Sequence, residues 1–146
     1  MRNQNGAPMS RFTVDFEVVN NEDLIEAKHG HLDPRKVRRK TIRGVVDSDA
    51  AELVLPLSIA KELGFPLRAK KVKVKYADGR RGVRTEVEEI RLFLQGRDAV
   101  FSAIVEPARE TALVGAIVLE QLDLLVDCKK GRLLPRDPDN KLTEIE

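Results

Sequence analysis

Val45-Val46-Asp47-Ser48-Asp49-Ala50-Ala51-Glu52-Leu53-Val54-Leu55 is the stretch on which the fold turns. An apolar pair runs into an acidic, small-residue break, and a second apolar run follows at once. The β-branched and leucine residues on either side read as two strands, and Asp, Ser and Asp between them are turn formers. A carboxylate therefore stands at the end of a strand among neighbours too small to cover it. In isolation Asp47 is an ordinary turn residue; what surrounds the stretch decides its meaning.

Upstream, residues 37–46 form the strand that enters this break. Before them, Phe12-Thr13-Val14-Asp15-Phe16-Glu17-Val18-Val19 alternates apolar and polar residues, the pattern of a half-buried strand. Residues 20–34 lose that alternation and read as a loop, with a short helical turn over Asn21–Lys28 as the regular element that fits. The loop carries His29-Gly30-His31, a histidine pair short of a metal-ligand set. Residues 1–11 read as a flexible polar lead-in.

Downstream, residues 56–64 have the punctuation of a short helix, with Pro56 at its start and Gly64 at its end. Lys71-Val72-Lys73-Val74-Lys75-Tyr76 alternates strictly and puts a lysine stripe on one strand face. Aromatic residues make up only 4% of the chain, leaving little to stack bases on, so the stripe reads as a solvated face rather than a nucleic-acid surface. Ala77-Asp78-Gly79-Arg80 supplies a hairpin turn. Residues 83–94 return as a long strand, residues 95–98 turn, and residues 99–105 form the next strand. Leu113-Val114-Gly115 is a short apolar stop before a second short helix over residues 116–122. Strands at residues 124–127 and 132–135 close the set around Lys129-Lys130-Gly131. The expected fold is mainly β: a closed, mainly antiparallel barrel with one or two short helices.

The bulk properties agree. A chain of 146 residues with 34% charged and 42% hydrophobic residues forms one globular domain. The net charge of +2 gives no strong electrostatic signature. The lone Cys128 forms no internal disulfide and suits the cytoplasm, where the protein is expected to reside. No apolar run reaches membrane-spanning length, and the first residues lack a signal-peptide core.

Taken in order, the strand into Val46-Asp47-Ser48, the leucine-rich strand, the Pro-to-Gly helix, the Asp-Gly hairpin, Leu113-Val114-Gly115 with its helix, and the closing Leu-Asp-Leu-Leu-Val-Asp-Cys run resemble the small bacterial members of the retropepsin-like, retroviral-type aspartic peptidase family. The resemblance spans residues 12–135. It implies that Asp47-Ser48-Asp49-Ala50 stands for the family's Asp-Thr/Ser-Gly-Ala signature, with Asp47 as catalytic carboxylate. It implies that Leu113, Val114 and Gly115 pack beside that loop, and that Tyr76, Ala77, Asp78, Gly79 and Arg80 form the tip of a flap. Ser48 would stiffen the paired loops, and Ala50 and Leu55 would line the groove. One signature in a chain this short implies a homodimer acting on an extended peptide or protein substrate, with neither metal nor cofactor. Residues 136–146 would be a tail or an interface strand.

One position departs from the family pattern. Asp49 stands where glycine is expected, because the turn brings backbone close to the carboxylate. In a dimer it would bring four carboxylates towards one axis, which opposes association. The same resemblance therefore admits a catalytically inactive dimerisation or peptide-binding module.

Overall fold

The computed structural model describes residues 11–67 and 70–146. The alternation at the start of the chain becomes β1 (Arg11–Asn20), one residue earlier than the lead-in was expected to end; residues 1–10 lie outside the described residues. The helical turn expected in the following loop is a complete helix, α1 (Asn21–Lys28), and a 3-10 turn, Pro34–Lys36, leads into β2 (Arg39–Asp47). Then come β3 (Leu53–Pro56), α2 (Leu57–Glu62), β4 (Lys70–Lys75), β5 (Arg81–Leu94) and β6 (Arg97–Glu106). The chain closes with β7 (Ala112–Val114), α3 (Ala116–Gln121), β8 (Leu124–Asp127) and β9 (Arg132–Pro135).

Six strands close a barrel in the order β1-β2-β7-β3-β6-β5, with β5 returning to pair with β1. The seams are antiparallel except β2–β7 and β3–β6, which are parallel. β7 wedges between β2 and β3, parallel to the first and antiparallel to the second, so that Val114 lies opposite both Val46 and Leu53. β8 and β9 form a separate hairpin sheet. The inward residues of the barrel, among them Phe16, Val18, Val46, Leu55, Leu92 and Val114, form one buried cluster with α2 and α3 packed against it. Each such fully buried aliphatic or aromatic side chain contributes about 1.5–3 kcal/mol.

β5 does two jobs, and a bulge divides them. Its first half pairs with β4; its second half pairs with β1. Between them the register against β6 slips, since Val87 faces Ala103 while Ile90 faces Phe101. Glu89 takes the left-handed conformation this requires, with φ of 61°, and its carboxylate accepts a hydrogen bond from Asn21 Nδ2 at 2.8 Å. Asn21 Oδ1 in turn accepts from Arg91 Nε at 2.9 Å, so α1 braces the bend.

Asn20 ties two helices to the barrel. Its Oδ1 caps α1 by accepting from the Asp23 N–H at 3.1 Å, and its Nδ2 donates to the Leu63 carbonyl at the end of α2 at 2.8 Å. Only 4% of the residue is exposed, so water cannot replace either bond. Asn20→Ala should destabilise the fold by about 2–4 kcal/mol, the sum of a lost cap and an orphaned carbonyl. Denaturant unfolding reads the loss directly; a change below about 0.5 kcal/mol would mean that the cap is dispensable. Pro56 sits at the N-cap of α2 rather than inside it, and Gly64 turns left-handed just beyond Leu63 as its spacing implied.

Candidate active site

Asp47 ends β2 as a buried carboxylate, 7% exposed. The chain turns immediately: the Ala50 N–H donates back to the Asp47 carbonyl at 3.1 Å, and the Asp49 N–H donates to Asp47 Oδ1 at 3.0 Å. The side chain thus closes its own turn, a common use of aspartate. Asp47 Oδ2 faces the Arg11 guanidinium, with Nε at 3.2 Å. Arg11 stands directly across the β1–β2 ladder from Asp47, a partner that sequence reasoning missed because 35 residues separate them in the chain.

Asp49 does not adopt the left-handed backbone that would demand glycine; among the described residues other than glycine, only Glu89, Gln95, Asp123 and Glu146 have positive φ. The turn therefore accommodates an aspartate without backbone strain, and the residue's exposed side chain adds only charge. Ser48 is also exposed, and among the described residues its hydroxyl has no hydrogen-bond partner.

The loop after Asp47 rests on the start of α3. Ala116 and Ile117 donate their N–H groups to the carbonyls of Ala50 and Ala51, at 2.7 and 3.0 Å. These bonds cap a helix that has no side-chain cap of its own. The approach is so close that a Cβ on Gly115 would lie 2.4 Å from the Glu52 carbonyl oxygen and 2.8 Å from that of Ala50. Glycine is required there for space. Leu113-Val114-Gly115 therefore packs beside the Asp47 loop, with Val114 in the core and Leu113 towards the open side.

That open side is a groove of about 1110 Å³ between the Asp47 loop and the β4–β5 hairpin. Ala50 lines it, as expected, but Leu55 does not: it is fully buried in the barrel, and Val54, pointing the other way along β3, lines the groove instead. Strand alternation could have made that assignment. Tyr76, Ala77 and Arg80 also line it, whereas Asp78 and Gly79 form the outer tip. The tip is a three-residue loop: Gly79 N–H donates to the Tyr76 carbonyl at 2.9 Å, Gly79 has φ of 88°, and Tyr76 N–H donates to the Arg80 carbonyl at 2.8 Å. Lys71 stands opposite Thr85, its ammonium bonding to Thr85 Oγ1, while Val72 faces Arg84 and Lys73 faces Val83; Val72, Lys73, Val74 and Lys75 all border the groove.

A polar network fastens this hairpin to the barrel. Glu106, at the end of β6, accepts from the Tyr76 hydroxyl at 2.6 Å and from Arg84 Nε at 2.5 Å, while the Arg80 and Arg84 guanidinium groups lie over the Tyr76 ring. Burial raises the Glu106 carboxyl's tendency to hold a proton, but the hydrogen bonds from Tyr76 and Arg84 outweigh it and hold the group below the ordinary glutamate range. The bond to Glu106 holds the Tyr76 hydroxyl above its ordinary value. None of these long-range partners had a signal in the sequence.

Because the Glu106 pKa is lowered by folding, its contribution is complete above the unfolded value and disappears as pH falls through the folded one. Glu106→Gln should cost about 1–2 kcal/mol near neutral pH. The gap in thermal stability between variant and wild type should then close below about pH 4. A gap that persists into acid would show that the network does not depend on the ionised carboxylate.

No protein-family model matches the chain, and no curated protein matches it. Among solved structures it matches the crystal structure of a retropepsin-like aspartic protease from Rickettsia conorii, with a TM-score of 0.58 and 18% identity, covering 90% of this chain and 83% of that chain. The chain has the retropepsin-like fold. It forms one lobe of that fold, a closed mixed barrel with a hairpin overhanging its open side. Among the described residues no helix is long and apolar enough to cross a membrane.

Proposed function

We propose that the chain is an aspartic endopeptidase working in the cytoplasm as a homodimer, with Asp47 from each subunit forming the dyad. One observation carries the reading: a buried carboxylate at a strand end, fixed by the Asp49 N–H and by a loop seated on α3, opens onto a groove covered by a hairpin. One lobe offers one such carboxylate, so the second comes from a second copy across a two-fold axis. The two carboxylates share one proton and titrate as a pair. The ionised one takes a proton from a water held between them, the oxygen adds to the scissile carbonyl, and the protonated one hydrogen-bonds the carbonyl oxygen. Proton delivery to the amide nitrogen then releases the amine and leaves a carboxylic acid.

In this reading residues 12–135 are the catalytic unit. Ser48 stiffens the paired loops, and the hairpin residues Tyr76, Ala77, Asp78, Gly79 and Arg80 act as a flap over an extended peptide. Leu113, Val114 and Gly115 hold the loop from below.

A second reading, a non-catalytic peptide-binding or dimerisation module, is favoured by Asp49, whose charge would crowd the dyad, and by Arg11, which already occupies one Asp47 oxygen. Cleavage profiling of a diverse peptide mixture by mass spectrometry, from acid to neutral pH, separates the two. Cuts made by a dimer support the peptidase. Silence from a folded dimer leaves the module.

A further inference from the structure

The geometry points to an anion subsite where β6 finishes beside Pro56, at the other end of β3 from the Asp47 loop, with Arg109 as the residue that selects for an acidic side chain in the bound peptide. This rests on the reading of the groove as a peptide site. Arg109 lines the groove just after β6, where its N–H donates to the Glu106 carbonyl at 3.3 Å and so sets the guanidinium beside Glu106. That carboxylate is spent: one oxygen accepts from Tyr76 and the other from Arg84. Arg109 has only neutral partners, the Thr111 carbonyl at 2.9 Å from Nε and the Thr111 hydroxyl at 3.5 Å from Nη2.

The groove's other arginines are already paired, while Lys73 and Lys75 line it from β4 as single flexible ammonium groups with no ion pair among the described residues. Arg11 pairs with Asp47, Arg80 with Asp78 and Arg84 with Glu106. Among the described residues Arg109 is in no ion pair; Glu106 feels its charge only through space, and the half-buried guanidinium lines the groove. A planar guanidinium anchored along one edge and open along the other suits bidentate donation to a carboxylate. At the opposite end, Asp49 and Glu52 also line the groove and repel such a group, so the preference has a direction. The class of ligand is an extended peptide with a glutamate or aspartate set away from the scissile bond.

The test uses the full chain with Asp47→Asn, so that binding is read without turnover. The probes are fluorescent peptides of about ten uncharged residues, the span of an extended segment in such a groove, carrying one Glu walked along the sequence, with Gln and Lys counterparts. At one position the Glu peptide should bind about tenfold more tightly than its Gln twin, and this ratio should shrink with added salt. Adding Arg109→Gln should bring the ratio near one, Arg109→Lys should keep part of it, and Arg109→Glu should turn the preference towards Lys, each in protein shown to unfold cooperatively. An unchanged ratio in Arg109→Gln, equal binding of all three peptides, or no binding of any would overturn the subsite. Cleavage by the wild type without an acidic preference leaves the peptidase standing and removes the subsite. An acidic preference in a protein that never cuts does the reverse.

Discussion

Asp47→Asn is expected to lower peptide cleavage at least about a thousandfold while leaving the protein folded. General acid–base groups contribute about a hundredfold to ten-thousandfold, and here one substitution removes both members of the proposed dyad, since each subunit supplies the same residue. Asparagine keeps the side-chain oxygen that accepts the Asp49 N–H, so the turn survives. What it loses structurally is the pair with Arg11, whose side chain is 51% exposed, and such pairs are worth no more than about 1 kcal/mol. Initial rates on a peptide found by profiling, alongside thermal unfolding, make the comparison. A variant that cuts like the wild type would remove Asp47 from the chemistry and the proposal with it.

Gly115→Ala should produce the largest loss of stability of any single methyl group in the protein. The added carbon would overlap the Glu52 carbonyl oxygen at 2.4 Å and the Ala51 carbonyl carbon at 2.7 Å. These are backbone atoms, so no rotamer change relieves the clash. Either the Asp47 loop lifts from α3, breaking the bonds from Ala116 and Ile117, or β7 slides between β2 and β3. Both options deform the interior, where packing has little slack. The expected cost is at least about 3 kcal/mol, read by urea unfolding. A cost under about 1 kcal/mol would show that the loop moves freely, and that Leu113-Val114-Gly115 does not hold Asp47 in place.

Much of the fold was legible because it rests on local chemistry. Period-two alternation marked β1 and β4, short apolar runs marked the flanks of Asp47, and proline and glycine bracketed α2. β7 was harder: three apolar residues carry no period, and only their resemblance to a known motif singled them out. The bulge at Glu89 was invisible, since nothing in a run of charged residues says that one must turn left-handed. Leu55 was assigned to the groove and proved to be core, although its own alternation with Val54 held the answer. The network of Tyr76, Arg84 and Glu106, the Arg11–Asp47 pair and the open charge on Arg109 lie between elements far apart in the chain. Sequence separation conceals such contacts, because many arginines and glutamates have equal claims on one another until the barrel closes.

The slip in β5 has a further meaning for how this chain encodes its two halves. Before it, Val87 is the residue that faces the core; after it, Ile90, Leu92 and Leu94 are. The inward residue next to Glu89 on one side is at an odd position, and on the other side the inward residues are at even positions. An unbroken pleat would have to choose a single parity, and keeping that of Val87 would bury Glu89 and Arg91 in the barrel. The extra residue acts as a change of phase. It lets one continuous strand carry two independent codes, one written for the groove and one for the core, so that residues of the hairpin can vary without disturbing the frame in which the barrel is read.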